Sequence, residues 1–182
     1  MASYHFISQW RVAATCEEVD HIIGDAEGLR GWWPSVYLDT KVTATGDANS
    51  IGKQVELYTK GWLPYTLRWH FVVVENRKPN GFTIVAQGDF VGKGIWSFEQ
   101  DGTDCRVIFD WSLDAEKPIL KHLSFILRPI FSFNHRWAMA RGEESLKLEL
   151  LRRRARNKAE LSSIPLPPQP TFPHTFTNNR IL

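Results

Sequence analysis

The sequence predicts an α+β fold. One curved antiparallel sheet of seven strands wraps around a long C-terminal helix, with two short helices after the first strand. Three observations point there. Aromatic residues alternate along strand-like runs: Trp69 with Phe71, Trp96 with Phe98, Phe109 with Trp111. Side chains of a strand alternate between faces, so each pair points one way. Six strand patterns then succeed one another, joined by Gly-, Pro-, Asn- and Asp-containing turns. A helical period takes over after Pro118 and runs to about Arg156. A sheet with large rings on one face must bury that face, and the long helix can cover it.

The elements follow in order. Residues 5–13 read as a strand with Phe6, Ser8, Trp10 and Val12 on one face. Thr15 and Glu18 have capping-box spacing, and Val19, Ile22 and Ile23 give the next helix its apolar stripe. Gly24 ends that helix. Residues 26–33 suit a second short helix, which Pro34 discourages from continuing. Strands are expected at 36–42, 54–60, 65–75, 82–90, 95–100 and 105–115, with turns at 46–52, 78–81, 91–94 and 101–102. Residues 119–127 suit a short helix, and Pro129 the first turn of a new one or a kink. Phe131, His135, Met139, Gly142, Leu146 and Leu150 form one stripe of the long helix. The domain is expected over residues 1–158. Residues 159–182 are Pro-rich and read as an extended or disordered tail.

Composition bounds the function. A chain of 182 residues can bury one sizeable core. A formal net charge of +2 gives no general attraction to nucleic acid, and the rings point into a core rather than onto a basic face. No nucleic-acid partner is expected. No apolar run approaches the roughly 20 residues that span a bilayer. Residues 1–10 lack a basic start followed by an apolar core, so they do not read as a signal peptide, and a cytoplasmic location is expected. Cys16 and Cys105 have no metal-ligand spacing, and the histidines are scattered. Neither a metal nor a cofactor is expected. The glycine-rich stretch 88–94 lacks the Lys-Ser/Thr ending of a phosphate loop and leads into a strand.

The order of elements and several local signatures resemble the helix-grip superfamily of START, birch-pollen-allergen and polyketide cyclase/dehydrase proteins, often grouped as SRPBCC. The chain most resembles the bacterial polyketide cyclase/dehydrase and lipid-transport branch. The resemblance rests on Trp32, Trp33 and Pro34; on Gly88, Asp89, Phe90, Val91, Gly92, Lys93, Gly94, Ile95 and Trp96; on Trp111; and on Asn134, His135, Arg136, Trp137, Ala138 and Met139 followed by Gly142. It covers roughly residues 4–155. It implies a helix-grip fold with a cavity between sheet and helix. The superfamily hosts carriers, cyclases and co-chaperones, so the fold alone does not fix the activity.

The residues expected at that cavity are Trp69, Phe71, Trp96, Phe98, Phe109 and Trp111 from the sheet, Phe131 and Met139 from the helix, and Trp32 and Trp33 at the mouth. Each ring could equally fill a core. Asn134 and His135 are the candidate catalytic pair. A histidine beneath the sheet could exchange protons near neutral pH, or simply hold the helix in place. Asp89 and Asp110 have outer parity. Binding or carriage of a hydrophobic or aromatic small molecule is the function expected. The alternatives are a polyketide cyclase/dehydratase using His135, and an interaction module using the basic helix end or the tail. Arg152, Arg153, Arg154 and Arg156 form a dense basic cluster, which suits a helix C-terminus or contact with an anionic membrane surface.

Overall fold

The computed structural model describes residues 2–115 and 124–172. Its seven strands are β1 (Ala2–Val12), β2 (Tyr37–Ala44), β3 (Gln54–Lys60), β4 (Thr66–Asn76), β5 (Gly81–Gly88), β6 (Val91–Asp101) and β7 (Asp104–Ala115). They form one sheet in the order β1-β7-β6-β5-β4-β3-β2, with every neighbouring pair antiparallel. The helices α1 (Cys16–Ile23) and α2 (Leu29–Trp32) connect the two edge strands.

Thr15 starts α1 as its spacing predicts. Its hydroxyl accepts from the Glu18 amide at 3.2 Å, and the Glu18 carboxylate accepts from the Thr15 amide at 2.9 Å. The buried stripe of α1 is Val19, Ile22 and Ile23, and Gly24 caps its end. α2 is a single turn, shorter than the predicted 26–33. The Asp25 carboxylate accepts from the Gly28 amide at 3.1 Å, and this local bond competes with helix there.

β6 begins at Val91, whereas alternation alone points to Ile95. The turn falls at Asp89 and Phe90 instead of 91–94. Gly88 permits it with φ +132°, and the Asp89 carboxylate accepts from the Arg68 amide at 2.8 Å. The glycines of β6 make room. A Cβ on Gly94 would lie 2.8 Å from the Trp111 ring.

The long helix α3 is Ser124–Arg154. It starts before Pro129, so residues 124–127 are its first turns rather than a separate helix; residues 119–123 lie outside the described residues. Pro129 stands inside the helix, where its fixed φ is compatible but it has no N–H to donate to the preceding turn. Gly142 lets α3 approach α2, because a Cβ there would lie 2.3 Å from the Trp33 ring. The solid core occupies one end of the molecule, with Val12, Val19, Ile22, Phe98, Cys105, Val107 and Leu146 essentially inaccessible.

The basic end of α3 is engaged within the chain. Arg154 donates to the Glu18 carboxylate at 2.7 and 2.8 Å and to the Ala13 carbonyl at 2.9 Å. Arg153 pairs with Glu149 at 2.8 Å, and Arg152 donates to the carbonyls of Ile164 and Pro165. Arg156 is exposed, and its amide donates to Glu160 at 2.8 Å. The tail opens with a short helix, α4 (Lys158–Ser163), begun by Asn157 accepting from the Glu160 amide at 2.9 Å. It then runs back along α3. Pro167 is buried, the Thr171 hydroxyl donates to the Trp62 carbonyl at 3.0 Å, and Phe172 packs on Trp62, which itself meets Phe133 edge-on at 5.4 Å.

Candidate ligand cavity between sheet and helix

Opposite the solid core, the sheet and α3 separate around a cavity of about 520 Å³. Its floor is aromatic. Trp96 stacks on Phe109 at 4.1 Å, Phe109 on Trp111 at 5.4 Å, and Trp111 meets Phe90 at 5.8 Å and Trp69 at 6.0 Å. The alternation of β4, β6 and β7 puts these rings on one face, and the register sets Trp96 opposite Phe109. The roof is α3, through Phe131, Asn134, His135, Ala138 and Met139. These positions recur at steps of three and four, so one helical stripe supplies them. Tyr4 and Phe6 close one side, and Tyr37, Thr59 and Lys60 the other.

A smaller pocket of about 70 Å³ adjoins it. Trp33, Tyr37, Trp69, Trp96 and Phe109 line both, so these rings form a common wall. Phe71 and Asp20 line the smaller one. Asp20 is buried, and desolvation pushes its carboxyl above the usual range against the opposing pull of Lys78 and His21.

The structure brings Trp33, Trp69, Trp96, Phe109, Trp111, Phe131, Asn134, His135 and Met139 to the large cavity. Phe71 is on the smaller pocket only. Trp32 and Phe98 line neither: Trp32 is buried against Trp33 at 5.4 Å, and Phe98 packs between Phe82 and Trp96. Asp89 lies exposed at the cavity edge, and Asp110 pairs with His5 at 2.8 Å on the outer face.

The polar side chains are few and mostly uncharged. His135 Nε2 lies 3.2 Å from the Ser8 hydroxyl, and its ring stacks on Phe6 at 4.5 Å. Burial holds its pKa at about 4, so the imidazole is neutral at pH 7. Asn134 Oδ1 accepts from the Leu63 amide at 3.2 Å, and its amide occupies the space a Cβ on Gly61 would need. Asn134 thus ties the loop after β3 to α3. Burial also raises the Tyr37 and Tyr65 phenols, which remain neutral donors. Thr59 accepts from the Trp69 indole at 2.9 Å and so fixes that ring against the cavity.

Sequence reading missed Phe6 and Phe90, whose alternation signal was present, and Tyr37 and Lys60, for which alternation points outward. Among the described residues, no group of three His, Cys, Asp or Glu side chains could hold a metal ion, and no helix is long and apolar enough to cross a membrane.

Solved structures share this architecture. The protein TTHA0849 from Thermus thermophilus superposes with a TM-score of 0.68 at 18% identity, covering 84% of this chain and 100% of that one. The Zhui aromatase/cyclase from Streptomyces sp. R1128 gives 0.65 at 14% identity, covering 85% and 98%. Norcoclaurine synthase from Thalictrum flavum, in complex with dopamine and hydroxybenzaldehyde, gives 0.55 at 14% identity, covering 85% and 90%. At these identities the likeness defines the fold class, a helix-grip protein. The sequence pattern of the polyketide cyclase / dehydrase and lipid transport family matches residues 5–148, and the chain belongs to that family. No curated protein matches it closely enough to count as a relative.

Proposed function

We propose that this chain binds and carries a hydrophobic or aromatic small molecule, such as a lipid, quinone or polyketide-like compound, between the sheet and α3. One observation carries the reading: a cavity of about 520 Å³ with a floor of contacting aromatic rings. That volume falls within the roughly 300–1,000 Å³ of small-molecule sites, which are concave and mostly apolar. A ligand burying about 400 Å² of apolar area gains about 10 kcal/mol at ~25 cal/mol per Å². Lost rigid-body freedom takes back at least about 4 kcal/mol. The remainder corresponds to micromolar-to-millimolar affinity, which suffices for carriage.

A second reading, a cyclase or dehydratase, is favoured by His135 and Asn134 lining the same cavity. A histidine held near pKa 4 is a weak base and is not an acid at neutral pH. The Asn134 oxygen is already engaged by the Leu63 amide. Carriage therefore stands first. Native mass spectrometry of freshly purified protein, followed by tryptophan-quenching titrations with fatty acids, quinones, flavonoids and polyketides, tests it. Saturable quenching, weakened by Trp69→Ala, is expected. A panel without any saturable signal refutes carriage. For the second reading, His135→Gln would lower turnover about 100-fold or more; under carriage it changes affinity only modestly.

A further inference from the structure

Among the described residues, the apolar cavity carries one cation. Lys60 ends β3, is only 3% exposed and lines the cavity. Alternation does not bury it: Val55, Leu57 and Thr59 have the inward parity, and Lys60 the opposite one. The returning tail covers it. The Phe172 ring centre lies 5.1 Å from its Nζ, and Thr171 beside it is tied to Trp62. The ammonium thus sits between the tail and the cavity.

Among the described residues, Lys60 Nζ has no ion-pair or hydrogen-bond partner; its contact is the face of Phe172. Asp89, the one carboxylate lining the cavity among the described residues, is exposed and accepts from the Arg68 amide. His135 stays neutral and adds no positive charge. A buried ammonium is costly unless an acceptor satisfies it, and an aromatic face compensates only in part. Desolvation accordingly pulls the Lys60 pKa down. An anion delivered by a ligand would supply the missing partner.

We propose that Lys60 is a head-group site, and that the cavity takes amphipathic acids: an apolar or aromatic body against the rings, and an ionised carboxylate accepting a hydrogen bond from Nζ. This rests on the cavity being a ligand site, as proposed above, and adds the chemical class of the ligand. The position of the ammonium beside the tail sets the orientation, with the acid toward Phe172 and the body against the rings.

Two probes of one shape separate the claims: anthracene-2-carboxylate and the uncharged anthracene-2-methanol, titrated into the full chain at pH 7 by fluorescence anisotropy. The acid is expected to bind about ten- to hundredfold tighter, the scale of a hydrogen bond to a charged group. Lys60→Met should abolish that preference and leave the alcohol's affinity in place, while Lys60→Arg should retain it. Equal affinities in the unmodified protein, or a preference that survives Lys60→Met, overturn the head-group site and leave the cavity reading standing. Absence of saturable binding by both probes overturns the cavity reading, and this inference with it. Should Lys60→Met fail to fold, the ¹³Cε resonance of Lys60, assigned by its loss in Lys60→Arg, decides. The acid should shift it and the alcohol should not; indifference to the acid overturns the proposal.

Discussion

Substituting His135 by Gln tests the electrostatics of the cavity directly. Burial holds the imidazole at about 4, against an ordinary value of 6.5. The folded chain therefore refuses a proton that the unfolded chain accepts. Stability is fully present above pH 6.5, falls as pH drops from about 6.5 to 4, and levels off below. Each pKa unit corresponds to about 1.4 kcal/mol. Integrated from pH 7.5 to 4.5, the loss from this one group is about 2–3 kcal/mol. The Gln variant cannot titrate and lacks that slope. At pH 7.5 it should be less stable by about 1 kcal/mol, because the ring stacked on Phe6 is gone. The gap should then close, and reverse, toward pH 4.5. Urea unfolding of both proteins across this range measures it, and the remaining histidines cancel in the difference. NMR titration of the His135 ring gives an independent reading. A midpoint at or above 6.5, or a stability gap constant with pH, refutes the reasoning. It would also restore to His135 the proton exchange that the cyclase reading needs.

Other outcomes follow from the same packing. Gly142→Ala drives a methyl into Trp33, which is 3% exposed, and should cost about 1–3 kcal/mol in urea unfolding. Arg154→Ala removes the partner that, with the Thr15 amide, holds the Glu18 carboxyl at about 2. Because the two side chains are 43% and 36% exposed, solvent screening limits the loss to about 1 kcal/mol at pH 7. That contribution is present above the ordinary pKa near 4.5 and should vanish as pH falls to about 2. Cys16 and Cys105 are buried free thiols with sulfurs 3.3 Å apart, and burial pushes Cys105 up to about 12. A disulfide-exchange reagent at pH 8 should therefore label neither in the native protein and both in urea; rapid native labelling would contradict their placement.

The sequence by itself determined what depends on near neighbours. The Thr15–Glu18 capping box needs residues three apart, and the inward rings of β4, β6 and β7 need only the two-residue period of a strand. The stripe Phe131, His135, Met139, Gly142 likewise follows from the helical period. Tertiary structure decided what depends on residues far apart in the chain. Gly94 is strand rather than turn because Trp111 occupies the space of its missing side chain. Phe98 fills the solid core while Trp96, two residues before it, reaches the cavity, although alternation assigns both to one face. His135 is neutral because Phe6 and Ser8, more than a hundred residues away, enclose it. Lys60 has the parity of a solvent-facing residue and is buried because Phe172 folds back over it. Periodicity assigns a face, but only packing in three dimensions fixes which part of that face is filled, which is hollow and which charge is left inside.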